Sequence, residues 1–85
     1  MKEFKYVITD AEGIHARPAG ELVKAAKEFS SKITIIKDGK SGDCKKTFAI
    51  MGLGIKGGME VVLKFDGEDE DAAYEKISAF MKENL

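Results

Sequence analysis

Alternation with a single apolar side limits the folds open to this chain more than any other feature. Met59, Val61, Leu63 and Phe65 alternate with Glu60, Val62, Lys64 and Asp66, the two-residue period of a strand with one face on a core. Phe4, Tyr6 and Ile8 do the same against Lys5, Val7 and Thr9 over residues 2–9, and Ile33 and Ile35 share one side of residues 32–37. A sheet of such strands has one face to cover, so its helices must gather on that face.

The segments between the strands supply those helices. Ala19, Leu22, Val23 and Ala26 recur at the spacing of a buried helical stripe, with Pro18 in the first turn, where a missing N–H costs nothing. This predicts a helix from about Ala16 to about Glu28. Residues 47–53 read as a short helix stopped by Gly52 and Gly54, with Ile50 and Leu53 on its buried side. A last helix begins after Gly67, where four consecutive acids complement its positive end, and turns Ala73, Ile77, Phe80 and Met81 inward. The acids are expected to be a solvated helix entry.

Asp38-Gly39 between two extended segments signals a type I′ hairpin, since both central residues need positive φ. Residues 40–45 then form a strand, a weak one because Gly42 and Asp43 disfavour it, and Gly57-Gly58 makes the next turn. The predicted order is βαββαβα: an α+β open-faced β-sandwich, a four-stranded antiparallel sheet with three helices on one face. A ferredoxin-like βαββαβ module fits the same pattern, so the pattern alone does not choose.

Eighty-five residues make one domain, 1–85, able to bury ~60–65% of its extended surface. A net charge of −1 offers no basic field for nucleic acid or an anionic membrane. No apolar run nears the roughly 20 residues that span a bilayer, and MKEFKYVITD lacks the apolar core of a secretory signal, so a cytoplasmic location without membrane insertion is expected. Cys44 is the only cysteine, which rules out an internal disulfide or a cysteine zinc cage. It is expected to be a half-buried strand residue. One His and one Cys make no metal site, and no Ser-His-Asp set or paired carboxylates can be argued from spacing. No cofactor is implied.

What remains is the octet Gly13-Ile14-His15-Ala16-Arg17-Pro18-Ala19-Gly20, which holds the only histidine and the only proline. His15 falls just ahead of the first helix. The unpaired N–H groups there suit an anion, and Arg17 adds a permanent charge in fork geometry. Such surroundings disfavour imidazolium and leave a ring nitrogen free as a nucleophile, with the donors of the helix start ready for a phosphoryl group. A lone exposed His beside a basic residue is equally an ordinary surface side chain.

The heptapeptide Gly13-Ile14-His15-Ala16-Arg17-Pro18-Ala19 resembles the active-centre motif of HPr, the histidine phosphocarrier of the bacterial phosphoenolpyruvate-dependent sugar phosphotransferase system. The likeness extends through Ile50-Met51-Gly52-Leu53-Gly54-Ile55 and the chain length, and covers essentially the whole sequence. The resemblance implies a carrier rather than an enzyme. His15 takes a phosphoryl group from Enzyme I and passes it to the A domains of Enzymes II, with Ala16, Arg17 and Pro18 around the phosphate. It also implies one docking surface shared by both partners, made here by Ala16, Gly20, Thr47, Phe48 and Met51, on a protein expected to be monomeric.

Two positions depart from the family pattern. Lys46 stands where many Gram-positive relatives carry a regulatory serine, which puts kinase regulation in doubt; Thr47 is displaced by one residue and is a poor substitute. Glu12 stands where many relatives carry a small or amide side chain, and its carboxylate is expected to repel a phosphoryl group and alter the transfer potential. Two other functions compete: a regulatory HPr paralogue acting as a phosphorylation-dependent binding module, and an acylphosphatase-like enzyme, for which no Arg and Asn pair can be placed around an anion loop.

Overall fold

A computed structural model describes all residues, 1–85. The chain runs β1 (Lys2–Val7), α1 (Ala16–Ala26), β2 (Lys32–Lys37), β3 (Lys40–Asp43), α2 (Thr47–Met51), β4 (Glu60–Asp66) and α3 (Glu70–Asn84). The strands make one antiparallel sheet in the order β1-β4-β2-β3, with β4 and β2 at its centre. This is the expected α+β open-faced sandwich, with the elements mostly a residue or two shorter than the periodicity suggests.

Register explains the single core face. Phe4 and Tyr6 of β1 stand opposite Leu63 and Val61, and β2 sets Ile33 and Ile35 opposite Phe65 and Leu63. Ile33, Ile35, Val61, Leu63 and Phe65 are fully buried, and the helices cover them with Ala19, Leu22, Val23 and Ala26 from α1 and Ala73, Ile77 and Met81 from α3. Phe80, expected inward, is only half-buried beside this core. Tyr74 closes one end, edge-on to both Phe4 and Phe65 at 5.9 and 5.6 Å. The short α2 packs against α1 and β3 and contributes Ile50 to the core.

The Asp38-Gly39 hairpin forms as expected, with φ of 51° and 79°. Two other expectations need correction. Cys44 is completely buried and lies in the turn after β3, outside the strand; burial, with Asp43 beside it, pushes its thiol up to about 12. The acidic run is not all solvated. Asp69 accepts hydrogen bonds from the Ser30 N–H (2.8 Å), the Ser31 N–H (2.9 Å) and the Ser31 hydroxyl, tying the entry of α3 to the loop before β2. Those donors, the Ser31 hydroxyl foremost, hold its carboxyl down at about 2.

Candidate functional site

His15 is the N-cap residue of α1, in extended conformation (φ −96°, ψ −174°), and its ring caps nothing. The first intrahelical bond joins the Ala19 N–H to the His15 carbonyl at 2.9 Å, so the N–H groups of Ala16 and Arg17 have no acceptor within the helix. Pro18 occupies the third helical position, where it has no bond to break, and its ring is buried in the core. Thus the residues that lack or free an N–H flank the one imidazole of the chain. No carboxylate in the first turn neutralises the helix start.

The approach to His15 is braced from beneath. Asp10 accepts the Glu12 N–H on its carboxylate and the Gly13 N–H on its carbonyl, both at 2.9 Å. The Ile14 N–H donates to the Ile55 carbonyl at 3.1 Å. Gly13 has φ +71°, and a β-carbon there would overlap that same carbonyl, so the turn needs glycine for both its dihedral and its close approach. Gly57 on the opposing loop is equally confined, since a β-carbon would lie 2.6 Å from the Asp10 carbonyl oxygen. The two loops interlock, and the backbone leading into His15 is thereby fixed.

Around the ring the charges are arranged unequally. Glu12 Oε2 lies 3.5 Å from His15 Nε2, with the two side chains 75% and 35% exposed. Nε2 therefore faces a carboxylate, while Nδ1 has no hydrogen-bond partner. Arg17, expected beside the phosphate, instead reaches along α1 to Glu21, with Nη1 at 3.2 and 3.3 Å from its two carboxylate oxygens. That pair is exposed and so worth only about 0–1 kcal/mol. The guanidinium is free to exchange it for a stronger anion.

The expected docking residues occupy α1 and the adjoining α2. Ala16 and Gly20 are exposed, Thr47 is half-buried, and Phe48 and Met51 are 86% and 37% exposed while Ile50 is buried. Phe48, with Met51 three residues on, is the most exposed large apolar side chain of the protein. Lys46 is the N-cap of α2 and is exposed, with no side-chain bond to the helix. Sequence reasoning missed the interlock of the two glycine loops and the turn of Arg17 toward Glu21. The i, i+4 spacing of Arg17 and Glu21 was the available signal for the latter.

The chain matches the family model described as "PTS HPr component phosphorylation site" over residues 2–83. It is 44% identical over 81 residues to the phosphocarrier protein HPr of Mycoplasma capricolum, covering 95% of this chain and 91% of that protein. Its fold superposes on a mycoplasma histidine-containing phosphocarrier protein with a TM-score of 0.94 at 43% identity, covering 96% and 93% of the two chains. The Bacillus subtilis catabolite repression protein Crh, solved as a swapped dimer, is similar at a TM-score of 0.79 and 36% identity, covering 100% of this chain and 98% of that one.

Proposed function

This chain belongs to the HPr family of phosphocarrier proteins of the phosphotransferase system, and from that premise we propose that His15 accepts a phosphoryl group from Enzyme I and donates it to the A domains of Enzymes II. It is a carrier and not an enzyme. The observation that supports His15 as acceptor is its place as the N-cap residue of α1, with a ring that caps nothing, directly ahead in sequence of the unpaired N–H groups of Ala16 and Arg17.

Nδ1 attacks phosphorus, and the new phosphoryl oxygens take hydrogen bonds from those two amides. Arg17 leaves Glu21 and turns to the phosphoryl group, since charge-assisted bonds of about 1.5–3 kcal/mol outweigh an exposed ion pair. Pro18 contributes by holding the first turn in shape without a donor of its own. Both partners dock on Ala16, Gly20, Thr47, Phe48 and Met51, because both must bring phosphorus to the same nitrogen. Alternating use of one surface calls for weak, fast contacts, and a monomeric carrier in the cytoplasm suits that exchange.

Incubation with phosphoenolpyruvate and Enzyme I of the source organism should add one acid-labile phosphoryl group, and His15→Ala should abolish it. Failure of the wild type to be labelled refutes the transport role. Regulation by a kinase at the α2 entry is not expected, because Lys46 carries no hydroxyl and Thr47, half-buried one residue further on, is set differently at the helix start.

A further inference from the structure

We propose that Glu12 is a positioning residue for phosphoryl transfer: its carboxylate holds the Nε2 side of the His15 ring and stabilises the positive charge the imidazole takes on while Nδ1 bonds phosphorus. The inference rests on His15 being the acceptor. Its basis is the 3.5 Å approach of Glu12 Oε2 to Nε2. His15 is the only basic group within ion-pair range of Glu12, and the Glu12 backbone is pinned by Asp10 on one side and by the Gly13 turn on the other. What one ring nitrogen faces determines which face of the ring is left to react.

The step balances without a further reactant. The donor is a phosphorylated partner protein whose bond to phosphorus breaks as Nδ1–P forms. The Nδ1 lone pair becomes the new bond, the ring becomes cationic, and its proton stays on Nε2 against Glu12. In onward transfer the Nδ1–P bond breaks, the electron pair returns to Nδ1, and the acceptor protein takes the phosphoryl group.

A carboxylate beside the ring also repels the phosphoryl group, and geometry decides between the two effects. The cationic ring edge is the nearest charge to Glu12, whereas phosphorus on Nδ1 lies on the other side of the ring. Attraction to the ring therefore prevails at the transition state, and the two effects oppose each other in the phosphorylated protein. Glu12 speeds uptake and donation alike and moves the equilibrium little.

Glu12→Gln keeps the length and an acceptor oxygen but removes the charge. In single-turnover transfer from phosphorylated Enzyme I, and onward to an Enzyme II A domain, both saturating rates should fall about two- to fivefold, as expected for a largely exposed charge pair. The half-saturating concentrations should not change, the His15 ring nitrogen signals should shift in 15N NMR, and Glu12→Asp should recover part of the rate. Rates in Glu12→Gln equal to or above the wild type overturn the proposal while leaving the carrier function standing. A wild type that takes up no phosphoryl group overturns the carrier function and this proposal together, and the two failures are told apart by the labelling of wild type and His15→Ala in the same experiment.

Discussion

Lys46→Ser should make this protein more stable, although it replaces a side chain that makes no hydrogen bond or ion pair. Lys46 has the extended backbone of an N-cap (φ −130°, ψ 114°) but offers no acceptor to the first-turn N–H groups of α2. A serine there supplies one, worth about 1 kcal/mol within a range of 0.5–2. Removing a cation from the positive end of a helix adds about 0.3–0.5 kcal/mol at an exposed position. The dipole share belongs at the low end because α2 has only five residues. The sum is about 1.3 kcal/mol, or roughly 5–10 °C in Tm for a domain of this size. Lys46→Ala removes the charge without adding an acceptor and should gain only about 0.3 kcal/mol. Thermal unfolding followed by circular dichroism at low and at high salt separates the two contributions, because salt screens the charge effect and leaves the cap. A serine variant no more stable than the alanine variant would refute the capping argument. Lys46→Ser also restores the hydroxyl found in many Gram-positive relatives, so an HPr kinase should label it and not the wild type.

Phe48→Ala should leave folding stability within about 0.5 kcal/mol, because the ring is 86% exposed; phosphoryl transfer at sub-saturating partner should fall about tenfold or more, as losing a buried aromatic from an interface costs about 1.5–3 kcal/mol. A large stability loss with unchanged transfer would show that Phe48 belongs to the core instead. Cys44 should resist alkylation in the native protein at about pH 8 and react fully in denaturant, since the thiolate is the reactive form and its thiol is pushed up to about 12; rapid native labelling would contradict its burial. Asp69 titrates from 3.8 when unfolded to about 2 when folded, so its contribution is present above the unfolded value and is lost as pH falls through the folded one. Urea unfolding between those two pH values should show a shallower acid dependence for Asp69→Asn, and parallel curves would remove the clasp from the account.

The elements whose neighbours in sequence are also their neighbours in space were legible beforehand. Alternation in β1, β2 and β4 and the stripe of α1 each declare a buried face locally, and Asp38-Gly39 declares its turn because few other pairs tolerate two positive φ values. The Asp69 clasp was not legible, since its partners Ser30 and Ser31 lie 39 and 38 residues away. An acid at a helix entry has a sufficient local explanation without them. Cys44 shows a different limit: β3 ends at Asp43, whose carboxylate accepts the Lys45 N–H at 2.9 Å, yet the Cys44 N–H still donates to the Ile33 carbonyl at 2.9 Å, which keeps the thiol on the buried side that Gly42 occupies two residues earlier.

The same division runs through the site. His15 at the helix opening follows from Pro18 and the apolar stripe behind it, and both are sequence facts. The orientation of its ring is set by Glu12, and that depends on the turn over Asp10 and on Gly13 pressed against Ile55, a contact between segments some forty residues apart. Arg17 shows the reverse: an expectation of phosphate contact gave way, in the unphosphorylated chain, to the nearest carboxylate on its own helix. An exposed ion pair costs little to break, so the resting partner of Arg17 says little about where it goes when phosphorus arrives. Glu12 differs in having no basic neighbour but the ring, so no competing partner draws it away. A carrier must surrender its cargo as readily as it accepts it. That demands a group acting equally on both directions of transfer, which a charge fixed to the ring provides and a clamp on the phosphoryl group alone does not.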